Sequence, residues 1–134
     1  MAKLAKVEGI GSVYAKKLKK AGVRSTNSLL QLGATPKGRK ELATNSGLTP
    51  KVILEWVNHV DLFRIKGVGE EYADLLEEAG VDTVVELAQR TAPNLHDALV
   101  KTNMKKKLVR QLPSAKQVAN WVRQAKKLPR KVSY

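Results

Sequence analysis

The sequence predicts an all-α, internally duplicated chain, on three observations. Apolar residues recur with helical spacing, and no run of four to eight residues alternates convincingly as a strand. Aromatic residues make up only 4% and Phe occurs once, so the core is built from Leu, Val, Ile and Ala, a composition that suits helices. The chain also repeats itself at an offset of 58. Val7-Glu8-Gly9-Ile10-Gly11 matches Ile65-Lys66-Gly67-Val68-Gly69. Tyr14, Ala15, Leu18, Ala21, Gly22, Val23 and Leu29 match Tyr72, Ala73, Leu76, Ala79, Gly80, Val81 and Leu87. A weaker echo at offset 65 pairs Ile53, Trp56 and Val57 with Val118, Trp121 and Val122. Two like helical units are expected, 1–60 and 61–134, packed as one compact pseudo-symmetric body.

Each element has a local reason. Ser12 is the expected cap of a helix over 13–20, with Val13, Leu18 and Ala21 inward and Gly22 ending it. Ser25 or Thr26 caps a short helix through Leu29 and Leu30. Pro36 opens a helix near 37–45 that Gly47 ends. Thr49-Pro50 reads as a cap followed by proline at the first helical position of 50–59, with Ile53, Trp56 and Val57 inward. In the second half, helices are expected at 70–79, 83–89, about 95–101, about 104–111 and 114–127, with Ser114 capping the last. Residues 129–134 are expected to fray.

Cys is absent, which excludes disulfides, iron–sulfur ligation and thiolate zinc. No window holds the roughly 18 apolar residues of a membrane span, and the start turns polar by Lys6, so a cytoplasmic protein without a membrane partner is expected. The formal net charge is +13. It is unevenly spread: +9 over 1–40, −1 over 41–60, −6 over 61–100 and +11 over 101–134. Two basic ends around an acidic middle suggest a polyanionic partner, with nucleic acid the first candidate.

Each half opens with Gly-x-Gly before a helix. Two glycines at this spacing allow a tight turn and close approach of a large group, and the first amides of the helix lack an internal acceptor. The residues Val7-Glu8-Gly9-Ile10-Gly11 with Ala15 and Leu18, and Ile65-Lys66-Gly67-Val68-Gly69 with Ala73 and Leu76, resemble the helix-hairpin-helix motif. From about residue 3 to 131 the chain is similar to an uncharacterised bacterial and archaeal family of tandem helix-hairpin-helix proteins, a domain of unknown function. The resemblance includes the stretches 34–40 and 54–57. It implies tandem helix-hairpin-helix modules in a SAM-like short-helix bundle. The family resemblance supplies no activity; the resemblance to helix-hairpin-helix modules in general implies double-stranded DNA held by its backbone without reading sequence.

Carried onto this chain, the hairpin amides of Gly9, Gly11 and Ser12 would meet one phosphate, with Lys16, Lys17 and Lys20 on its neighbours. Lys37, Arg39 and Lys40 around Gly38 form a second candidate seat, against the alternative of a capped turn with solvated lysines. Lys105, Lys106, Arg110, Lys116, Arg123 and Lys127 form the basic carboxyl-terminal surface. In the second hairpin Lys66, Gly67 and Gly69 are candidates too, but Glu70 and Glu71 follow at once and Asp74 lies beyond, and acids repel phosphate. Glu70, Glu71 and Asp74 therefore carry the alternative, a protein-interaction or assembly module using residues 61–100. RNA stays open as a partner, because charge does not distinguish duplexes. Trp56 and Trp121, at matching positions, read as core. His59 and His96 have no nearby Ser or Cys partner, and the aspartates form no cluster in sequence, so neither catalysis, a metal nor a cofactor is expected.

Overall fold

In the computed structural model of the chain, which describes Leu4, Val7 and residues 10–134, side-chain caps and proline set most helix starts. The described residues form eight α-helices and no strand. They divide into two units, Met1–Asp61 with Lys131–Tyr134, and Leu62–Arg130.

The first unit holds α1 (Gly11–Lys20), α2 (Thr26–Leu32), α3 (Pro36–Ser46) and α4 (Pro50–Asp61). Ser25 and Ser28 exchange a capping box at α2, each side chain accepting from the other's backbone N–H. Thr35 Oγ1 accepts from Gly38 N–H at 3.1 Å and Pro36 opens α3. Thr49 Oγ1 accepts from Val52 N–H at 3.2 Å and so caps α4. Helix α4 packs on α2 and α3, and α1 packs on α3. Leu18, Val23, Leu29, Ile53 and Val57 are fully buried there. Each such large apolar side chain contributes about 1.5–3 kcal/mol relative to exposure.

The helix α1 differs from expectation at its start. It begins at Gly11, whose φ is +61°, and Ile10 is its cap, with no side-chain cap bond, so Ser12 lies inside the first turn. Val13 points out, 66% exposed. Leu18 is five residues on, about 140° around the helix, so the two cannot share a face. The inward row runs instead from Ile10 to Leu18.

The second unit opens with a 3-10 turn (Leu62–Arg64), followed by α5 (Glu70–Glu78), α6 (Val84–Gln89), α7 (Ala92–Lys106) and α8 (Ala115–Lys127). Helix α8 packs on α6 and α7, and α5 packs on α7 and the 3-10 turn. Val118, Trp121, Val122 and Ala125 bury one side of α8, as their spacing predicts. Ser114 and Gln117 form its capping box.

The two helices expected near 95–101 and 104–111 are one helix, α7, and residues 107–113 are not helical. Asn103 makes the stop. Its amide donates to Val109 O at 3.1 Å and its carbonyl accepts from Val109 N–H at 3.0 Å, while Lys107 turns left-handed at φ +50°. The last residues are docked in the first unit. Val132 is 3% exposed, Ser133 N–H donates to Ala34 O at 2.8 Å, and the Tyr134 hydroxyl lies 3.2 Å from Asn58 Oδ1. Residues 131–134 thus have main-chain and side-chain partners, which a frayed tail lacks.

Candidate nucleic-acid interface

In the first unit the basic surface is α1. Ser12, Lys16, Lys17 and Lys20 are all exposed, as is Gly11, and 13, 16, 17 and 20 share one side of the helix. Lys17 Nζ sits 5.7 Å from the centre of the Tyr14 ring, which itself leans on buried Trp56 at 5.4 Å and 50°. Lys17, Lys19 and Lys20 also suit the carboxyl end of the helix dipole. Gly9 lies outside the described residues.

The segment around Gly38 is spent on structure. Gly38 N–H donates to Thr35 Oγ1 and Arg39 N–H to Thr35 O, so neither amide awaits a phosphate. Arg39 is 4% exposed: Nη1 donates to Gly33 O at 2.9 Å and Nη2 to Ser133 O at 2.7 Å. Burial lowers its pKa, partly countered by Tyr134. The arginine belongs to the interior of the unit, while Lys37 and Lys40 stay exposed and share a shallow depression with Glu41.

In the second unit the hairpin and the last helix meet. Gln124 on α8 clamps the peptide groups of Lys66: its Oε1 accepts from Lys66 N–H at 2.8 Å and its Nε2 donates to Lys66 O at 3.0 Å. Gly67 then turns at φ +96° against the indole of Trp121. Together they bound a cleft of about 340 Å³, lined by Lys66, Gly67, Ser114, Lys116, Gln117, Asn120, Trp121 and Arg123. Three cations line it and no carboxylate does. Sequence reasoning kept Lys66 apart from Lys116 and Arg123, which stand 50 or more positions away. It also missed Trp121 and Asn120 as lining residues, because nothing local marks Gln124 as the clamp.

Lys105, Lys106, Arg110 and Lys127 are exposed outside that cleft, and Lys106 is ion-paired with Glu78 on α5. Gly69 is exposed and extended before α5. Glu70 and Glu71 occupy the first turn of α5, where they suit the helix dipole; Glu71 is exposed, Glu70 and Asp74 half-buried. Tyr72 leans on Trp121 at 5.3 Å and 52°, and its hydroxyl donates to Gln111 O at 3.0 Å.

Asp82 belongs to an acidic corner. Burial pushes its carboxyl above the ordinary Asp range, and Glu86 and Glu77 push the same way. A raised folded pKa contributes stability fully present below the unfolded value, about 3.9, and lost as pH rises through the folded value. Asp82→Asn is therefore expected to melt above the wild type at pH 7 and level with it near pH 3. Thermal melts at both pH values check this, and a difference that ignores pH would contradict it.

Among the described residues no group of three or more His, Asp or Glu side chains gathers to hold a metal ion, and no helix is long and apolar enough to cross a membrane. His96 Nε2 donates to Pro113 O at 3.1 Å.

A family model described as a domain of unknown function, DUF4332, matches residues 8–128. The chain belongs to that family. The DUF4332 match takes in all eight helices, with both Gly-x-Gly stretches and the cleft, and stops before residues 131–134. No curated protein and no solved structure matches the chain.

Proposed function

We propose that this DUF4332 chain is a tandem helix-hairpin-helix protein that binds double-stranded DNA through its phosphates, without reading sequence. The observation that carries this is the acid-free cleft, where Lys66 beside the second Gly-x-Gly turn joins Lys116 and Arg123 of α8. The exposed lysines of α1 supply a second cationic surface on the helix that Gly11 opens. Duplication is supported by the two tyrosine–tryptophan pairs, which match in distance, 5.4 and 5.3 Å, and in tilt, 50° and 52°. The acids of α5 do not line the cleft, which supports a part for the second Gly-x-Gly turn in this reading.

The test is a titration of a random-sequence fluorescent duplex at several salt concentrations, with RNA and single-stranded DNA alongside. Six to ten phosphate contacts would make affinity fall about 10³–10⁵-fold between 50 and 200 mM salt. No duplex binding at low salt would overturn the reading.

A second reading rests on α5. Its exposed Glu77 and Glu78 stand, by the repeat, where α1 carries Lys19 and Lys20, and Asp74 stands opposite Lys16 in the alignment. That reversal suits a protein partner with a basic segment. Partner capture lost on changing Glu70, Glu71 and Asp74 would favour it.

A further inference from the structure

The geometry points to the cleft between the 65–69 turn and α8 as a seat for a phosphomonoester, a doubly charged terminal phosphate rather than an internal phosphodiester. This rests on the nucleic-acid reading where the phosphate is a strand end. Three features lead to it. Lys66, Lys116 and Arg123 concentrate three formal positive charges on one concavity without a lining carboxylate. An internal phosphodiester brings one charge, whereas a phosphomonoester brings about 1.5–2 at neutral pH and three strong acceptor oxygens.

The second feature is Trp121. The residue as a whole is 2% exposed, yet its indole N–H keeps an opening to solvent. An indole N–H that stays open at the edge of a core can donate to a ligand. The nitrogen lies on the cleft side against Gly67, 3.1 Å from where a Cβ on that residue would stand. The absence of a side chain at Gly67 keeps the N–H approachable.

The third is rigidity. Gln124 fixes the Lys66 peptide by two hydrogen bonds and Ser114–Gln117 fixes the start of α8, so the donors are held before a ligand arrives. Amides at the start of α8 add the positive end of its dipole. A preformed site of this kind rewards the ligand with more charge and more acceptors.

The experiment compares two duplexes identical except for a 5′-phosphate or 5′-hydroxyl at each end, and a nucleoside monophosphate against its nucleoside. Affinity is read by titration and the two indole N–H signals of the wild-type chain by NMR. Expected are a preference of about tenfold or more for the phosphorylated duplex and a shift of the Trp121 indole signal with the Trp56 signal still. Trp121→Phe, which keeps an aromatic ring and removes the donor, is expected to reduce the preference severalfold. A Trp121 shift with the nucleoside monophosphate but no preference between duplexes assigns the cleft to free phosphomonoesters. An unmoved Trp121 signal with every phosphomonoester overturns the proposal, even if both duplexes bind and the DNA reading stands. Failure of both duplexes to bind at low salt overturns the DNA reading separately.

Discussion

Reversing Lys16 and Lys17 together, as Lys16→Glu with Lys17→Glu, is expected to weaken duplex binding about 100-fold near 100 mM salt. Both side chains are exposed on α1, and the buried row of that helix runs elsewhere, so the fold has no need of them. Loss of two phosphate contacts lowers the slope of log affinity against log salt by about 1.8. The new acids add repulsion that grows as salt falls. The cation above the Tyr14 ring is lost as well, but an exposed contact of this type is worth only about 0.5–1 kcal/mol. Helical content by circular dichroism is expected to stay. Unchanged affinity with unchanged helicity would remove α1 from the interface and leave the cleft of the second unit to carry it.

Gly38→Ala is expected to cost about 3 kcal/mol, the upper part of the range for overpacking. An added Cβ would stand 2.1 Å from Leu32 O, the last carbonyl of α2, and 3.2 Å from the Thr35 hydroxyl that caps α3. Backbone oxygen has no rotamer by which to escape, so α2 and α3 must move apart or the cap must break. Gly69→Ala is the control. Gly69 has an ordinary φ of −94° and nothing within 4 Å of the new methyl, so its melting point is expected to hold within a degree or two. Urea denaturation of both variants decides the matter; equal midpoints would mean that the α2–α3 contact yields freely.

The sequence was most legible where a local rule had no rival. Ser114 before an apolar row, Thr49 before Pro50, and the inward Trp56 and Trp121 follow from capping chemistry and helical period, and the structure has them. It misled where a long-range partner decides. Arg39 reads as a surface cation because charge normally stays in water, but Gly33 and Ser133 carbonyls take both guanidinium nitrogens inside. The break after α7 was hidden because Lys107, not glycine, takes the left-handed turn, and Asn103 compensates by bonding across it. Val13 points out because it lies about 140° around α1 from buried Leu18, a separation that holds wherever the helix starts. For the candidate site, the exposed lysines of α1 were visible as a charge run. The cleft was not, since it exists only once Gln124 reaches a peptide group 58 residues away.

The bond from Arg64 Nη1 to Pro129 O, 2.8 Å, ties the two extremities of the second unit together. The first unit, meanwhile, is completed by a contact between Arg39 and Ser133, 94 positions apart. In an unfolded chain that contact closes a very long ring. Once the second unit has formed, the ring contracts to about 30 mobile residues, and the entropy of closing it falls by about 1 kcal/mol. Folding of the inserted unit therefore lends stability to the one that surrounds it in sequence.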